Sequence, residues 1–275
     1  MTSPALQEII ALLGCPAAGN PAQYLYERAL AEAGLDWRFL TLDVAPERVG
    51  AAIAGVDAMG FRGCVLSGPL RGAATAHVAT LSPTATFSRA VSLVERQPTG
   101  LVGHMTDGRG LLEALRAHAD PTGAGVLLVG AGPAARAAAL ELSLAGAAEI
   151  IVCNRTPDAA TALVEALAGV DGAPAAALPW HAEIVVPEQV GIVVSAVPPE
   201  AQFTLAGLRK DHVVADFALV PQPSPAVAAA QKQGACTIDG LEIHCAKTAI
   251  DFHTWTGIEP DTDLLRELLD EYLNA

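Results

Sequence analysis

Residues 126–156 read VLLVGAGPAARAAALELSLAGAAEIIVCNRT, and the small residues in them are spaced for phosphate chemistry. Gly130, Gly132 and Ala135 form a GxGxxA pattern that directly follows an apolar run and opens a helical one. Gly130 permits a tight turn, Gly132 lets a pyrophosphate approach the backbone, and Ala135 lets helix and strand pack closely. The helix start adds free N–H groups and partial positive charge, so Gly130, Ala131, Gly132, Pro133, Ala134 and Ala135 are the expected phosphate loop. GxGxxA alone is a weak signal. Here the strand before it, the helix after it and a second strand at 149–153 stand where a dinucleotide fold requires them. That second strand ends in Asn154, Arg155 and Thr156, where an NAD-preferring site carries an acidic residue for the ribose 2′-hydroxyl. A guanidinium and two small polar groups suit a 2′-phosphate instead, and Arg155 can stack on adenine. The expected cofactor is NADP, against the plainer alternative that Arg155 is a solvated residue at a helix start. Ala196 and Val197, closing the run IVVSAV, and Gly240 complete the expected cofactor set.

The elements that must hold this loop alternate along the chain. IIALLGC (9–15), WRFLTLDV (37–44) and GCVLS (63–67) read as strands, while AQYLYERALAEAG (22–34), PERVGAAIAGVDAMG (46–60) and 69–80 read as helices. After a helix at 106–119 and a turn-rich break, DPTGAG (120–125), a second strand series runs through VLLVG, EIIVC, IVVSAV and HVVADFA. TAIDFHTWTG and TDLLRELLDEYLNA read as two closing helices, with Leu264, Leu265, Leu268 and Tyr272 as a docking stripe on the second. Strands alternating with helices imply βαβ units and mostly parallel sheets. The expected fold is α/β with two domains. An N-terminal αβ substrate domain covers 1–105, a linking helix 106–119, and a doubly wound Rossmann domain 120–240, with 241–275 packing back on the first domain.

Composition narrows the class. The chain has 275 residues, 52% of them hydrophobic and only 4% aromatic, which favours Ala-rich helices packed on sheets. A net charge of −14 argues against nucleic acid or an anionic membrane as partner, so any positive charge serving an anionic ligand is local. Cys15, Cys64, Cys153, Cys236 and Cys245 are odd in number and show no CxxC spacing, so reduced thiols are expected rather than disulfides or zinc. MTSPALQEIIALLGCP has no basic start or long apolar core, and no apolar stretch is long enough to span a membrane. A cytoplasmic location is expected, and no metal.

Beyond the nucleotide motif the chain resembles the shikimate dehydrogenase family over nearly its whole length. The phosphate loop and NRT end-of-strand motif are similar to that family's. GHMTDGRGLLEAL (103–115) resembles its G-x-N-T-D-G-x-G stretch, and DGLEIHCAKTAIDFHTWTG (239–257) its C-terminal G-x-x-M-L-x-x-Q-A…WTG segment. The resemblance implies a substrate domain, an NADP-binding domain and a cleft between them. It also shows where the substrate half departs. The family's two carboxylate-holding serines fall on Asn20 and Ala22, and its N-V-T-x-P-x-K stretch on VLSGPLR. That places Val65 at the asparagine, Ser67 at the threonine and Arg71 at the catalytic lysine. Ser92 and Met105 replace two asparagines, Leu219 a tyrosine and Lys247 the C-terminal glutamine, while Thr106 and Asp107 are unchanged.

Hydride transfer to a carbonyl needs a proton at its oxygen, which a Lys–Asp pair supplies well. Arg71 stays protonated at working pH, so it can clamp a carboxylate or steady an alkoxide but not deliver the proton. Lys247, with Asp107 as partner, is the expected relocated acid, giving Asp107, Lys247 and Arg71 as catalytic candidates. The resemblance makes Asn20, Ser67, Ser92 and Thr106 the expected substrate contacts. Each has a plainer reading: Arg71 as a helix-surface charge, Lys247 as a solvated helix residue, Asp107 as a helix cap. His104 and His244 are weaker donors. The expected function is NADP-dependent oxidation or reduction of a small polar carbonyl or hydroxy acid, anionic or polyhydroxylated, other than shikimate. A non-catalytic NADP-binding sensor or scaffold is the alternative, and shikimate dehydrogenase proper the third reading.

Overall fold

The computed structural model describes residues 7–274, so the first six residues of the stretch read for a leader lie outside the described residues, as does Ala275. The chain divides into two compact units. One runs to Thr106 and resumes at Thr248; the other is Asp107–Lys247. No described helix is long and apolar enough to cross a membrane.

The first unit contains, in chain order, β1 (Ile9–Gly14), α1 (Ala22–Glu32), β2 (Arg38–Asp43), α2 (Val49–Ala58), β3 (Gly63–Leu66), β4 (Thr80–Leu81), α3 (Pro83–Ser88), β5 (Leu93–Gln97) and β6 (Gly100–His104). Its sheet has the order β2-β1-β3-β5-β6-β4. β5 runs antiparallel to both β3 and β6, and the other pairs are parallel. β1 is buried along nearly its full length, as a central parallel strand must be. α1 buries Ala22, Leu25, Tyr26, Ala29 and Leu30, one face at helical spacing, and Gly34 at φ +68° ends it.

The helix expected at 69–80 is absent. Two short 3-10 turns, Gly68–Leu70 and Ala73–His77, occupy the segment and lead into β4. Gly68, Pro69 and Gly72 break the i→i−4 ladder, and only Leu70 and Ala74 are buried in these turns. Thr80, the end of that expected helix, instead starts β4, and residues 81–104, for which the sequence pattern suggested no element, complete β4 and form α3 and the β5–β6 hairpin.

The second unit continues with α4 (Asp107–Arg116), β7 (Gly125–Val129), α5 (Pro133–Leu144), β8 (Glu149–Cys153), α6 (Pro157–Ala168), β9 (Ala175–Leu178), β10 (Glu183–Val185), β11 (Val190–Ser195), β12 (Thr204–Ala206), β13 (Val213–Asp216), α7 (Pro225–Lys232) and β14 (Cys236–Ile238). The main sheet, β14-β13-β11-β7-β8-β9, is parallel throughout, and β10 pairs with β12 apart from it. Strand order reverses between β7 and β11, the doubly wound arrangement whose crevice at the strands' carboxyl ends holds ligands.

α8 (Gly240–Thr256) and α9 (Thr262–Asn274) close the chain. α8 begins eight residues before the helix read from TAIDFHTWTG. The Asp239 carboxylate accepts from the Glu242 N–H, and the Asp239 carbonyl from that of Ile243, so the start is capped. The chain leaves the second unit inside this helix, between Lys247 and Thr248. α9 buries Leu265, Leu268 and Leu269, and its Tyr272 ring lies 6.2 Å from Tyr24 of α1.

Candidate active site

In the second unit the expected phosphate loop lies at the switch point. Gly130 follows β7 at φ +121°, and its N–H donates to the Cys153 carbonyl at 2.8 Å. A Cβ there would lie 2.6 Å from the Ala196 carbonyl oxygen, so Gly130 is required by the neighbouring strand end. Gly132 differs. Its backbone is ordinary extended geometry before the first turn of α5, and a Cβ would project into open space. The fold therefore does not demand glycine at 132, whereas a pyrophosphate laid on the N–H groups at the α5 start would. Asn154, Arg155 and Thr156, just past β8, line a cavity of about 380 Å³ together with Val197, Pro198 and Trp180. The residues present fit an NADP adenosine end. Gly240 packs against the Ala218 carbonyl and so serves the meeting of α8 with the end of β13.

Sequence reasoning missed Trp180, Glu200 and Gln202, which line the same cavity. Trp180 stands two residues beyond the end of β9, a carboxyl strand end, which is the signal that points to it.

Asp107 and Lys247 belong to this unit as well. Asp107 opens α4 and is 5% exposed; Lys247, on α8, is 9% exposed, so neither is a solvated surface charge. Two glycines explain why α4 fits here. A Cβ on Gly108 would run into the Ala137 backbone of α5, and one on Gly110 would lie 2.8 Å from the Lys247 Cβ. The D-G-R-G spacing thus lets α4 press against α5 on one side and α8 on the other. It brings Lys247 within one helical turn of Asp107 along α4.

The remaining candidates lie in the first unit, gathered at one edge of its sheet. The strand directions put the ends of β1, β3 and β6 and the start of β5 on that edge. The Asn20 side-chain oxygen accepts from the Ala22 N–H at 3.0 Å, and Ala22 is buried in α1. Ser67 Oγ accepts from the Cys15 N–H at 3.0 Å. Arg71 is half-buried rather than a helix-surface charge, and its Nε donates to the Leu66 carbonyl at 2.9 Å. Ser92 is fully buried and bonded to Thr106, so it reaches a ligand only through that neighbour. His104 pairs with Glu95 across the hairpin at 3.0 Å, which gives it a local partner.

The cysteines are free, and burial pushes the thiols of Cys64 up to about 12 and Cys153 up to about 11, so neither is a nucleophile. Among the described residues no cluster of His, Cys, Asp and Glu could hold a metal ion.

Residues 113–242 match the family described as shikimate / quinate 5-dehydrogenase. Shikimate dehydrogenase (NADP(+)) of Moorella thermoacetica is 31% identical over 97% of this chain and 94% of its own length. That of Acidiphilium cryptum is 34% identical over 92% and 91%. This chain belongs to the shikimate dehydrogenase family. Among solved structures, ligand-free 5-ketofructose reductase of Gluconobacter sp. strain CHM43 superposes with a TM-score of 0.91, at 30% identity, over 97% of this chain and 99% of that one. Membership makes the protein an oxidoreductase with the family's two-domain α/β fold and Rossmann-type nucleotide domain.

Proposed function

We propose that this protein is an NADP-dependent oxidoreductase that interconverts carbonyl and hydroxyl on a small polyhydroxylated compound other than shikimate. The observation that carries this reading is that Asp107 and Lys247 are both buried, and that Gly110, three residues after Asp107 on α4, packs against Lys247. A decayed cleft would gain nothing from burying both. The loop 130–135 and the Arg155 cavity would hold the cofactor, with Arg155 on the 2′-phosphate. Bound there, NADPH supplies a hydride. Lys247 gives its proton to the carbonyl oxygen, and Asp107 holds the lysine in place.

Asn20, Ser67 and Arg71 are assigned to the substrate's oxygens, whereas the Thr106 hydroxyl is already engaged by Ser92 and Asp251. The Asn20 oxygen is spent on α1 and Ala22 has no hydroxyl, so a paired-serine carboxylate anchor is not kept at these two positions. That favours a hydroxyl-rich substrate, in keeping with the ketose reductase among the relatives. Five free thiols suit the reducing cytoplasm.

Shikimate dehydrogenase proper is the second reading, favoured by the names of the relatives at 31% and 34% identity. The test is titration with NADPH and NADH, then NADPH oxidation across small carbonyl compounds including 5-ketofructose and 3-dehydroshikimate. NADPH-selective binding with turnover of a ketose supports the proposal. Turnover of 3-dehydroshikimate alone installs the second reading, and tight NADPH binding without any oxidation points to a sensor.

A further inference from the structure

A carboxylate that no motif announces lies in the first unit. Asp251, on α8, is 0% exposed. Thr106 Oγ1 donates to its Oδ1 at 2.7 Å, and the Tyr26 hydroxyl donates to its Oδ2 at 3.2 Å. Thr106 Oγ1 also lies 3.1 Å from Ser92 Oγ, and the Thr106 N–H donates to Ser92 Oγ at 2.9 Å.

A hydroxyl carries one proton, so the direction of each bond follows. The Thr106 proton is committed to Asp251. Ser92 therefore donates to Thr106 Oγ1 while accepting the Thr106 N–H. Burial foremost, with Asp251 behind it, pushes the Tyr26 phenol well above its ordinary range, which keeps Tyr26 a neutral donor. Thr248 hydrogen-bonds the Tyr26 hydroxyl as well, and buried polar groups that hold one another in this way specify a single geometry.

Thr106 is the residue before α4, and Asp107 is the first residue in it. Thr106 is held twice, by its hydroxyl and by its amide. Because the peptide that follows is planar, a fixed Thr106 narrows the positions open to the first residue of α4, Asp107. We propose that Asp251 is a positioning residue: by taking the Thr106 hydroxyl proton it locks the Ser92–Thr106 pair and, through the next peptide, the start of α4 and the Asp107 carboxylate. This inference rests on the catalytic role assigned to Asp107 above.

An asparagine at 251 keeps the volume but sets an N–H₂ against one of two hydroxyl donors. If it faces Thr106, that hydroxyl must accept and the Ser92 bond reverses. Lys247 stands one turn earlier on α8, so T106V, which removes the Thr106 arm alone, isolates the path, and T106S restores it. I53V is the calibrating variant. Ile53 is fully buried on α2, outside this network, so its truncation loosens the same unit elsewhere.

The experiment measures amide hydrogen exchange over residues 104–112, NADPH affinity, and turnover of the compound identified by the screen. In D251N and T106V, exchange in that segment is expected to rise at least tenfold. kcat is expected to fall at least tenfold with NADPH affinity within threefold of the parent. T106S is expected to behave as the parent, and I53V to lose thermal stability with neither change. Unchanged exchange at 104–112 in D251N, or an equal rise in I53V, overturns the inference, as does raised exchange with kcat intact. If the parent turns nothing over, the functional reading fails by itself, and the exchange result still decides whether Asp251 anchors α4.

Discussion

Gly132→Ala separates cofactor binding from folding more cleanly than any other change in the loop. The residue sits at φ −73° and ψ −178°, which alanine adopts freely, and its Cβ would meet nothing within 4 Å. Removing glycine's freedom in the unfolded chain stabilises by roughly 0.4–1 kcal/mol. Alanine before the first turn of α5 is a poorer cap than glycine, which costs about the same. The two nearly cancel, so the melting temperature is expected to move by no more than about 4 °C. The cofactor meets a different situation, because the new methyl stands where a pyrophosphate must approach the N–H groups. Losing one hydrogen bond to a charged group costs ~1.5–3 kcal/mol, or about 10- to 150-fold in Kd. Titration calorimetry with NADPH, beside thermal melts of the free protein, reads both numbers. Gly130→Ala cannot make this separation, since its Cβ would lie 2.6 Å from the Ala196 carbonyl oxygen and disturb the fold itself. If G132A melts like the parent and binds NADPH within threefold of it, the assignment of the loop to the pyrophosphate is wrong.

Further expectations concern the other half of the chemistry and the frame around it. Arg155→Ala should reduce the preference for NADPH over NADH by ~10- to 100-fold while leaving NADH affinity alone, as competitive titrations would show. Lys247→Met and Asp107→Asn should each lower kcat by ~10²- to 10⁴-fold with NADPH affinity unchanged, and equal kcat in both would remove them from the proton path. Gly110→Ala forces α4 off the Lys247 backbone at a cost of ~1–3 kcal/mol, seen as a melting point lower by about 2–12 °C. Gly108→Ala, aimed at the Ala137 backbone, should cost more. Burial raises the Asp216 carboxyl above its usual range, against the opposing hydrogen bonds of Ala218, Ser224 and Ser195. A carboxyl raised on folding stabilises below its unfolded value of about 3.9, and that contribution is lost as pH rises through the folded value. Asp216→Asn should therefore flatten the fall in melting temperature above about pH 4, and an unaltered pH profile would contradict this.

Much of the frame was legible because its signals are local. The alternation of strands and helices, the glycine and alanine spacing at 130–135 and the polar end of β8 are each decided within a few residues of chain. Gly34, which closes the run read as the first helix, marked the end of α1 for the same reason. The segment 69–80 misled because its apolar residues suggested a helix that Gly68, Pro69 and Gly72 do not permit. The β5–β6 hairpin escaped notice because LVERQ and GLVGH mix charged and glycine positions into short strands and so show no clean alternation.

What the sequence determined by itself was the frame of the nucleotide half: a glycine turn opening α5, a polar end to β8, and the order of elements around them. Those features depend on backbone conformation and short-range spacing, which a residue's neighbours dictate. Tertiary structure alone decided the rest. Asp251 reaches Thr106 across 145 residues and Tyr26 across 225, and Gly110 meets Lys247 only because two helices cross there. A buried carboxylate and a buried lysine look like any surface charge in a linear chain. Only packing removes the water around them, and with the water gone their hydrogen bonds become specific.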